Sequence, residues 1–481
     1  MRARRYFFML ALLLAADPMS RLAAQRTTSI PAGSDVRGVS APSHSDARLA
    51  VPVEFHSLSN GLRVVLSRDS SVPLARVGVY YAAGPRREPR GRGGFAHLFE
   101  HLMFEGSTQL GPGEFFKLVT SAGGRFGART LYDFTKYNVT IPSNALDLVL
   151  WAEADRMRGL RINQERLDAV RATVKNEVRQ QSFNRPYGRF VWIDVPELTQ
   201  TRWENAHSIY GETPDGSIAD LDSATVADAE SFYRDYYSPA NAVLVVQGDI
   251  DPSRVLPLIE RYFGTIPPRP VGATTSVDEP PQIAEKRFKR VDPNAPRPAI
   301  AISYHLPPRS DPAFWTIAII DQILIEGRDS WMHRALVDEH NLTEEIYGGI
   351  STRHGSMYTV NGPNFWTAFA FYDKSRSPDS LLRVMDEQIA RLQAASVDSA
   401  TLARAITKAR ADFYSELTAN RNEGVVDMLG ELTLFGDNPA RINRIEDEFR
   451  SVTAQRVLST ARQYLRPENR TVLVLNTPEA K

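Results

Sequence analysis

Alternating apolar and polar residues mark the start of the structured part of the chain. Residues 53–58 (VEFHSL) alternate as a half-buried strand does, and residues 62–66 (LRVVL) resume the pattern after Asn60-Gly61. An Asn-Gly pair favours a tight hairpin turn because both positions need a positive φ. Apolar runs at residues 74–82 and 242–247 predict two further strands. The pattern therefore predicts a sheet whose strands are interrupted by a long helical region.

The two halves of the chain end in the same helix–turn–strand pattern. Residues 225–246 align with residues 453–474 without a gap, and the alignment pairs Thr225 with Thr453, Tyr236 with Tyr464, Pro239 with Pro467 and Asn241 with Asn469. A repeat of this length is typical of a duplicated domain rather than a solenoid. A Pro-rich stretch separates the halves, so we predict an N-terminal domain at residues 51–265, a hinge linker at 266–285 and a C-terminal domain at 286–477.

The N-terminus has the order of a secretory signal peptide. In residues 1–24 a basic start precedes the apolar run 6–16 and then small residues before Gln25. The run is too short to span a bilayer, which takes about 20 apolar residues. Arg4-Arg5 leaves both the general and the twin-arginine export routes open. We expect an exported protein, periplasmic or secreted, with a flexible leader at residues 25–50.

Composition narrows the chemistry that such a protein can use. The 481 residues include no Cys, and 57 Lys and Arg balance 57 Asp and Glu. A chain without net charge is not by default a nucleic-acid binder. The lack of Cys excludes disulfides, thiolate catalysis and thiolate-bound metals. Any metal must therefore be bound by His, Asp or Glu.

One motif offers such ligands. His97-Leu98-Phe99-Glu100-His101 is an H-x-x-E-H sequence in a helical pattern, where residues four apart share one face. Glu100 lies on that face and can deprotonate a metal-bound water without being a ligand. A catalytic zinc site takes three protein ligands, so a carboxylate should complete it. Glu177 is the candidate, although its position in the helical pattern 164–181 fits a solvated carboxylate equally well.

Residues 94–107 (GFAHLFEHLMFEGS) resemble the pitrilysin/insulinase family of inverted-motif zinc peptidases. In that family a ligating Glu follows the motif in an Asn-Glu context, and Asn176-Glu177 matches it, 76 residues after His101. The resemblance implies one Zn²⁺ ion bound by His97, His101 and Glu177, with Glu100 as the catalytic base. Manganese or cobalt remains open, because the same ligand types bind both metals.

The resemblance covers almost all of residues 51–477 and implies a fold. That fold is α+β, with two homologous domains arranged as a clamshell, each an antiparallel-rich β-sheet flanked by α-helices. Residues 123–137 resemble the family's strand that binds the substrate backbone, which makes Gly127, Ala128 and Thr130 the predicted substrate-binding residues. Gly127 stands where the family usually has Asn, so one side-chain hydrogen bond to the substrate would be missing.

The implied activity is that of a zinc-dependent endopeptidase acting on extended oligopeptides or unfolded polypeptide segments. The alternative is a non-catalytic peptide-binding or assembly subunit of the same fold. Such relatives usually lose a His or a Glu of the motif, whereas His97, Glu100, His101 and Glu177 are all present here.

The second domain departs from the family pattern. The family usually has an Arg and, seven residues later, a Tyr that polarise the substrate carbonyl, whereas this chain has Val337 and Glu344. Ala318, Asp321 and Gln322 replace the motif in the repeat, so a second zinc site is not expected. Some members of the family, including bacterial relatives of the mitochondrial processing peptidase, are heterodimers whose partner chain carries the Arg/Tyr pair. We therefore expect a heterodimer partner of this kind, no nucleic acid, and no stable membrane span after signal cleavage.

Overall fold

The computed structural model describes residues 48–88, 91–200, 216–271, 279–350, 357–358, 360–436 and 438–478. The predicted signal peptide, residues 1–24, and the predicted leader as far as residue 47 lie outside the described residues. No helix within the described ranges combines the length and the apolar character needed to cross a membrane.

The first half forms a six-stranded sheet with helices packed against it. Its strands are β1 (Glu54–Ser57), β2 (Arg63–Arg68), β3 (Leu74–Tyr81), β4 (Arg125–Thr130), β5 (Thr135–Pro142) and β6 (Ala242–Gly248). Its helices are α1 (Phe95–Leu102), α2 (Glu114–Ser121), α3 (Leu146–Arg158), α4 (Gln164–Val178), α5 (Val195–Thr199), α6 (Gly216–Ser223), α7 (Val226–Tyr236) and α8 (Pro252–Phe263). The strand order is β1-β2-β6-β3-β5-β4, and only the β2–β6 pair is parallel. Strand β4 therefore lies at an edge of the sheet.

The second half repeats this arrangement, although its described residues include no counterpart of β1. Its strands are β7 (Lys286–Val291), β8 (Ala299–Leu306), β9 (Tyr347–Ile350), β10 (Asn364–Phe371) and β11 (Arg470–Asn476). Its helices are α9 (Pro312–Leu324), α10 (Trp331–His333), α11 (Pro378–Ala394), α12 (Ser399–Asn422), α13 (Gly424–Gly436), α14 (Ile445–Arg450) and α15 (Ala454–Tyr464). The strand order is β7-β11-β8-β10-β9, again with one parallel pair, β7–β11. The α+β fold with two similar sheet-and-helix halves is confirmed.

Side-chain hydrogen bonds explain why the repeat keeps particular residues. Thr225 caps α7 and Thr453 caps α15, each accepting a hydrogen bond from the backbone N–H three residues on. Asn241 and Asn469 each donate an amide hydrogen bond to the carbonyl of the Tyr five residues earlier, at 2.7 and 2.8 Å. These bonds begin each helix and hold the turn that leads into the final strand.

Each sheet is covered on one face by a segment from the other half. Helix α13 packs against β2, β3 and β6, and Gly430 on α13 allows this approach because a Cβ there would collide with the ring of Tyr80. In return, residues 190–199, which include α5, pack against β7, β8 and β11. The two halves therefore complete each other's cores.

The contact between α13 and the first sheet is polar. Asp427 on α13 accepts hydrogen bonds from the Tyr80 hydroxyl at 2.8 Å and from the Asn138 amide at 2.9 Å. Its other carboxylate oxygen lies 2.6 Å from the Lys136 ammonium. All of these side chains are buried, so this network joins the halves through one carboxylate with three donors.

Candidate metal centre

Helix α1 starts where two carboxylates meet its first N–H groups. Gly94, with a φ of +88°, precedes the helix in a left-handed conformation that glycine adopts readily. The Glu88 carboxylate accepts hydrogen bonds from the N–H groups of Gly94 at 2.9 Å and Ala96 at 2.7 Å, and Asp220 accepts one from Gly93 at 2.9 Å. Burial raises the pKa of Glu88 to about 8, although these N–H groups favour the ionised form. The contacts fix the helix start, and therefore the direction of the first histidine of the motif.

The structure brings His97, His101 and Glu177 together, across the contact between α1 and α4. The Nε2 atoms of His97 and His101 are 3.3 Å apart, and Glu177 Oε2 lies 3.2 Å from the first and 3.4 Å from the second. Ligands about 2.0–2.1 Å from a tetrahedral zinc ion are about 3.3–3.4 Å from each other. The spacing and the donor set therefore fit a zinc ion. Within the described residues this is the one cluster of three such ligands.

The electrostatics of this cluster favour a cation. Burial alone lowers the pKa of His101, but the hydrogen bond to Glu177 and the charge of Glu100 raise it overall. Burial alone raises the pKa of Glu177, but hydrogen bonds from His101 and His97 bring it well below its usual range. Because the carboxylate stays ionised beside two buried imidazoles, positive charge is stabilised where their ligand atoms converge.

Glu100 lies beside the cluster but is not one of the converging ligands. Its Oε2 accepts a hydrogen bond from the Thr130 hydroxyl at 2.7 Å, and its side chain is buried. Thr130 is the last residue of β4. This donor to Glu100 was missed from the sequence, where Thr130 was assigned to substrate by its strand motif.

The predicted substrate-binding strand is the edge strand β4. Gly127 is exposed, and a Cβ built there would meet no atom within 4 Å. Ala128 is half-buried, and Thr130 is buried against α1. Among the described residues β4 pairs only with β5, so the backbone of its other side is open.

The positions of the family's Arg/Tyr pair are used differently in the second half. Val337 lies half-buried in the π-helical turn Arg334–Glu339. The side chain of Glu344 is 81% exposed and pairs with Arg297 at 3.0 Å. Tyr347, the nearby tyrosine, stacks on Phe369 with ring centroids 5.3 Å apart.

The counterpart of the metal cluster in the second half is a network of hydrogen bonds. Gln322 donates to Asp412 at 2.7 Å, across the contact between α9 and α12. The Lys408 ammonium donates to the Gln322 carbonyl at 3.0 Å, and the Trp366 indole donates to Asp321 at 2.6 Å. In the repeat, Ala318 and Gln322 thus stand where the first half has two imidazoles, and the Gln322 amide is bound to a carboxylate.

Two family models match the chain. The model described as "Insulinase (Peptidase family M16)" matches residues 63–187, which include the motif and Glu177. The model described as "Peptidase M16 inactive domain" matches residues 223–409. Together the two matches span more than half of the chain.

Known proteins resemble the chain over most of its length. "Zinc protease PqqE" of Helicobacter pylori is 26% identical over 373 residues, which cover 76% of this chain and 80% of that protein. The crystal structure of a protease from Helicobacter pylori has a TM-score of 0.78 and 23% identity, and covers 89% of this chain and 100% of its own. The first half of the periplasmic protease PqqL from Escherichia coli has a TM-score of 0.70 and 18% identity, over 89% and 93% of the two chains. At these identities the two structural likenesses establish the fold alone.

Proposed function

The chain belongs to the insulinase family of peptidases (M16), and on that premise we propose that it is a zinc-dependent endopeptidase. Its substrates are oligopeptides or unfolded polypeptide segments. The observation that carries the proposal is the convergence of three ligand atoms from His97, His101 and Glu177 at distances of 3.2–3.4 Å, with the buried carboxylate of Glu100 beside them.

The roles of the residues follow from their positions. His97, His101 and Glu177 hold the metal, which when bound lowers the pKa of a water molecule and polarises the scissile carbonyl. Glu100 takes a proton on its carboxylate from the attacking water and passes it to the leaving amine. One of its oxygens is held by Thr130, which leaves the other for the water.

The edge strand β4 supplies peptide recognition. An extended peptide can add to an open sheet edge through backbone hydrogen bonds, which tolerate many sequences. Gly127 and Ala128 present such an edge near the end of the strand that contacts Glu100. The absence of a side chain at Gly127 leaves recognition there to the backbone.

A partner chain of the same family completes the proposal. Val337 and Glu344 cannot donate to a substrate carbonyl as Arg and Tyr do, so we assign those donors to a second chain in a heterodimer. The same observation favours the alternative candidate, a non-catalytic peptide-binding or assembly subunit. The intact set of Glu100 and three metal ligands favours catalysis.

Hydrolysis of a mixed pool of unstructured peptides, read by mass spectrometry, tests the proposal. Cleavage by the zinc-loaded chain that disappears with a chelator supports the metallopeptidase. If a zinc-loaded chain is inactive alone but gains activity with a co-purified family member, the heterodimer is supported. Inactivity in both settings would favour the non-catalytic subunit.

The proposed site of action is outside the cytoplasm. The order of basic, apolar and small residues in 1–24 supports export, and one structural neighbour is described as periplasmic. Mass spectrometry of the protein from a fractionated host should find a mature chain that begins near Gln25. A chain that retains Met1 in the cytoplasmic fraction would contradict this.

A further inference from the structure

We propose that Thr130 is a positioning residue that orients the catalytic base through its hydroxyl and does not contact substrate. The inference rests on the proposed peptidase function, because it assigns Glu100 the role of base. It changes the role of a residue that the strand motif placed among the substrate contacts.

The hydrogen-bond pattern determines where the Thr130 proton goes. Three acceptors lie within reach of Thr130 Oγ1: Glu100 Oε2 at 2.7 Å, and Ala96 O and Thr135 Oγ1 at 3.4 Å each. Thr135 donates its own proton to the carbonyl of Ala83 at 2.7 Å. Thr130 is therefore a donor to the much closer carboxylate, in the short geometry typical of a charge-assisted hydrogen bond.

The sheet, not the helix, fixes this hydroxyl. Thr130 pairs with Thr135 across the β4–β5 ladder, and the turn between the strands is closed by a hydrogen bond from Leu131 N to Phe134 O at 2.8 Å. Thr130 is 6% exposed and its side chain is β-branched, so few rotamers are open to it. The donor is thus preorganised on a rigid element.

The consequence for Glu100 is an oriented carboxylate. Oε2 is held by Thr130, whereas no described residue hydrogen-bonds Oε1. The carboxylate can therefore present Oε1 to the attacking water. A base held in this way loses less orientational freedom as the proton moves.

The bond also connects two functions of one strand. The strand β4 that offers its edge to a peptide ends in the residue that orients the base. The strand therefore sets the position of the peptide backbone relative to Glu100. Because the hydroxyl faces Glu100 and is buried, its removal should lower kcat and leave KM unchanged.

The test compares Thr130→Val, which removes the hydroxyl at similar shape, with Thr130→Ser, which keeps it. For Thr130→Val we expect kcat to fall about 10–100-fold, as when a supporting hydrogen bond is lost from a metal site. KM should stay within about two-fold, which separates loss of transition-state stabilisation from loss of binding. Zinc content should stay at one ion per chain, and Thr130→Ser should restore most of kcat.

Thr140→Val is the matched control. Thr140 is also a buried threonine of this sheet that donates to a carboxylate at 3.0 Å, but its acceptor is Glu423, at the end of α12, and not a residue of α1. We expect it to keep the wild-type kcat. The inference would be overturned by a wild-type kcat in Thr130→Val or by failure of Thr130→Ser to restore kcat. A rise in KM alone would also overturn it, because the hydroxyl would then contact the substrate.

A second measurement does not need activity. In a double-mutant cycle of unfolding midpoints with Thr130→Val and Glu100→Ala, the double variant should lose less than the sum of the single losses, because both remove the same hydrogen bond. Additive losses would overturn the inference. If the wild-type chain hydrolyses nothing, either alone or with a partner chain of its family, the proposed function fails while this cycle still decides whether Thr130 holds Glu100.

Discussion

Replacing Glu177 with Gln should weaken metal binding while the fold persists. The carboxylate is the one charged ligand of the three, and its Oε2 lies 3.2 and 3.4 Å from the two imidazole Nε2 atoms. Zinc sites with four protein ligands bind with about 10–16 kcal/mol, or about 2.5–4 kcal/mol per ligand. Loss of one ligand should therefore weaken zinc binding about 10²–10³-fold. The Gln amide still fills the same volume, so the metal-free fold should be retained.

Competition against a zinc-binding dye measures this affinity in the purified chain. Glu165→Gln is the matched control. It is the same Glu-to-Gln change on the same helix, but Glu165 lies exposed in the first turn, away from the two histidines. We expect wild-type affinity for Glu165→Gln and circular dichroism spectra that agree for all three proteins. An unchanged zinc affinity in Glu177→Gln would refute the assignment of Glu177 as a ligand, because the two histidines alone would then account for binding.

Three further predictions concern the rest of the molecule. Asp427→Ala should lower the free energy of unfolding by about 3–5 kcal/mol because Lys136 is left buried without its carboxylate. Urea titration should show a loss of only about 0–1 kcal/mol for Glu387→Ala, which breaks an exposed ion pair. Equal losses for the two variants would contradict the stabilising role of the buried Asp427 network. Burial raises the pKa of Glu431 to about 8 from 4.5, so the folded chain loses stability as the pH rises through that window, and Glu431→Gln should gain more in Tm at pH 8.5 than at pH 5. A gain that is equal at both pH values would contradict the shift. Gly127→Asn should lower KM for peptides, because there is room for a Cβ at this position and the Asn side chain can add about one hydrogen bond to the substrate. An unchanged KM would indicate that the peptide binds away from β4.

The local elements could be predicted from the sequence because their signals lie within a few residues. A hairpin joins β1 and β2 at Asn60-Gly61, but its loop is residues 58–62 and only Gly61 of the pair has a positive φ, at +87°, so the predicted tight turn with two positive φ angles was wrong. The strands predicted at 74–82 and 242–247 are β3 and β6. The spacing of His97 and His101 places them on one helix face. The fold class followed from the resemblance and from the repeat, whose capping residues recur at one offset.

Contacts between distant segments could not be predicted in this way. Lys136 and Asn138 alternate with apolar residues on β5 and would be taken for solvent-facing positions. They are buried because α13, almost 300 residues later, covers that face and supplies Asp427. Alternation indicates which side chains share a face, but not what packs on it.

The same limit applied to the site. The need for a third ligand made Glu177 a candidate, but only the resemblance favoured it over a solvated residue, since a single helix carboxylate carries no signal of its own. The buried cap from Glu88 to the start of α1 was missed for a related reason. Glu88 lies several residues before the helix in an ordinary stretch of sequence. Only the fold shows that its carboxylate contacts the N-terminus of α1.

The most direct test of the central claim is Glu100→Gln, with zinc content and peptide hydrolysis measured on the same preparation. We expect one zinc ion per chain, as in the wild type, and loss of turnover, because the amide cannot take a proton from the water. Retained turnover in the zinc-loaded variant would contradict the role of Glu100 as the base. Loss of zinc together with turnover would instead make Glu100 part of the metal site itself.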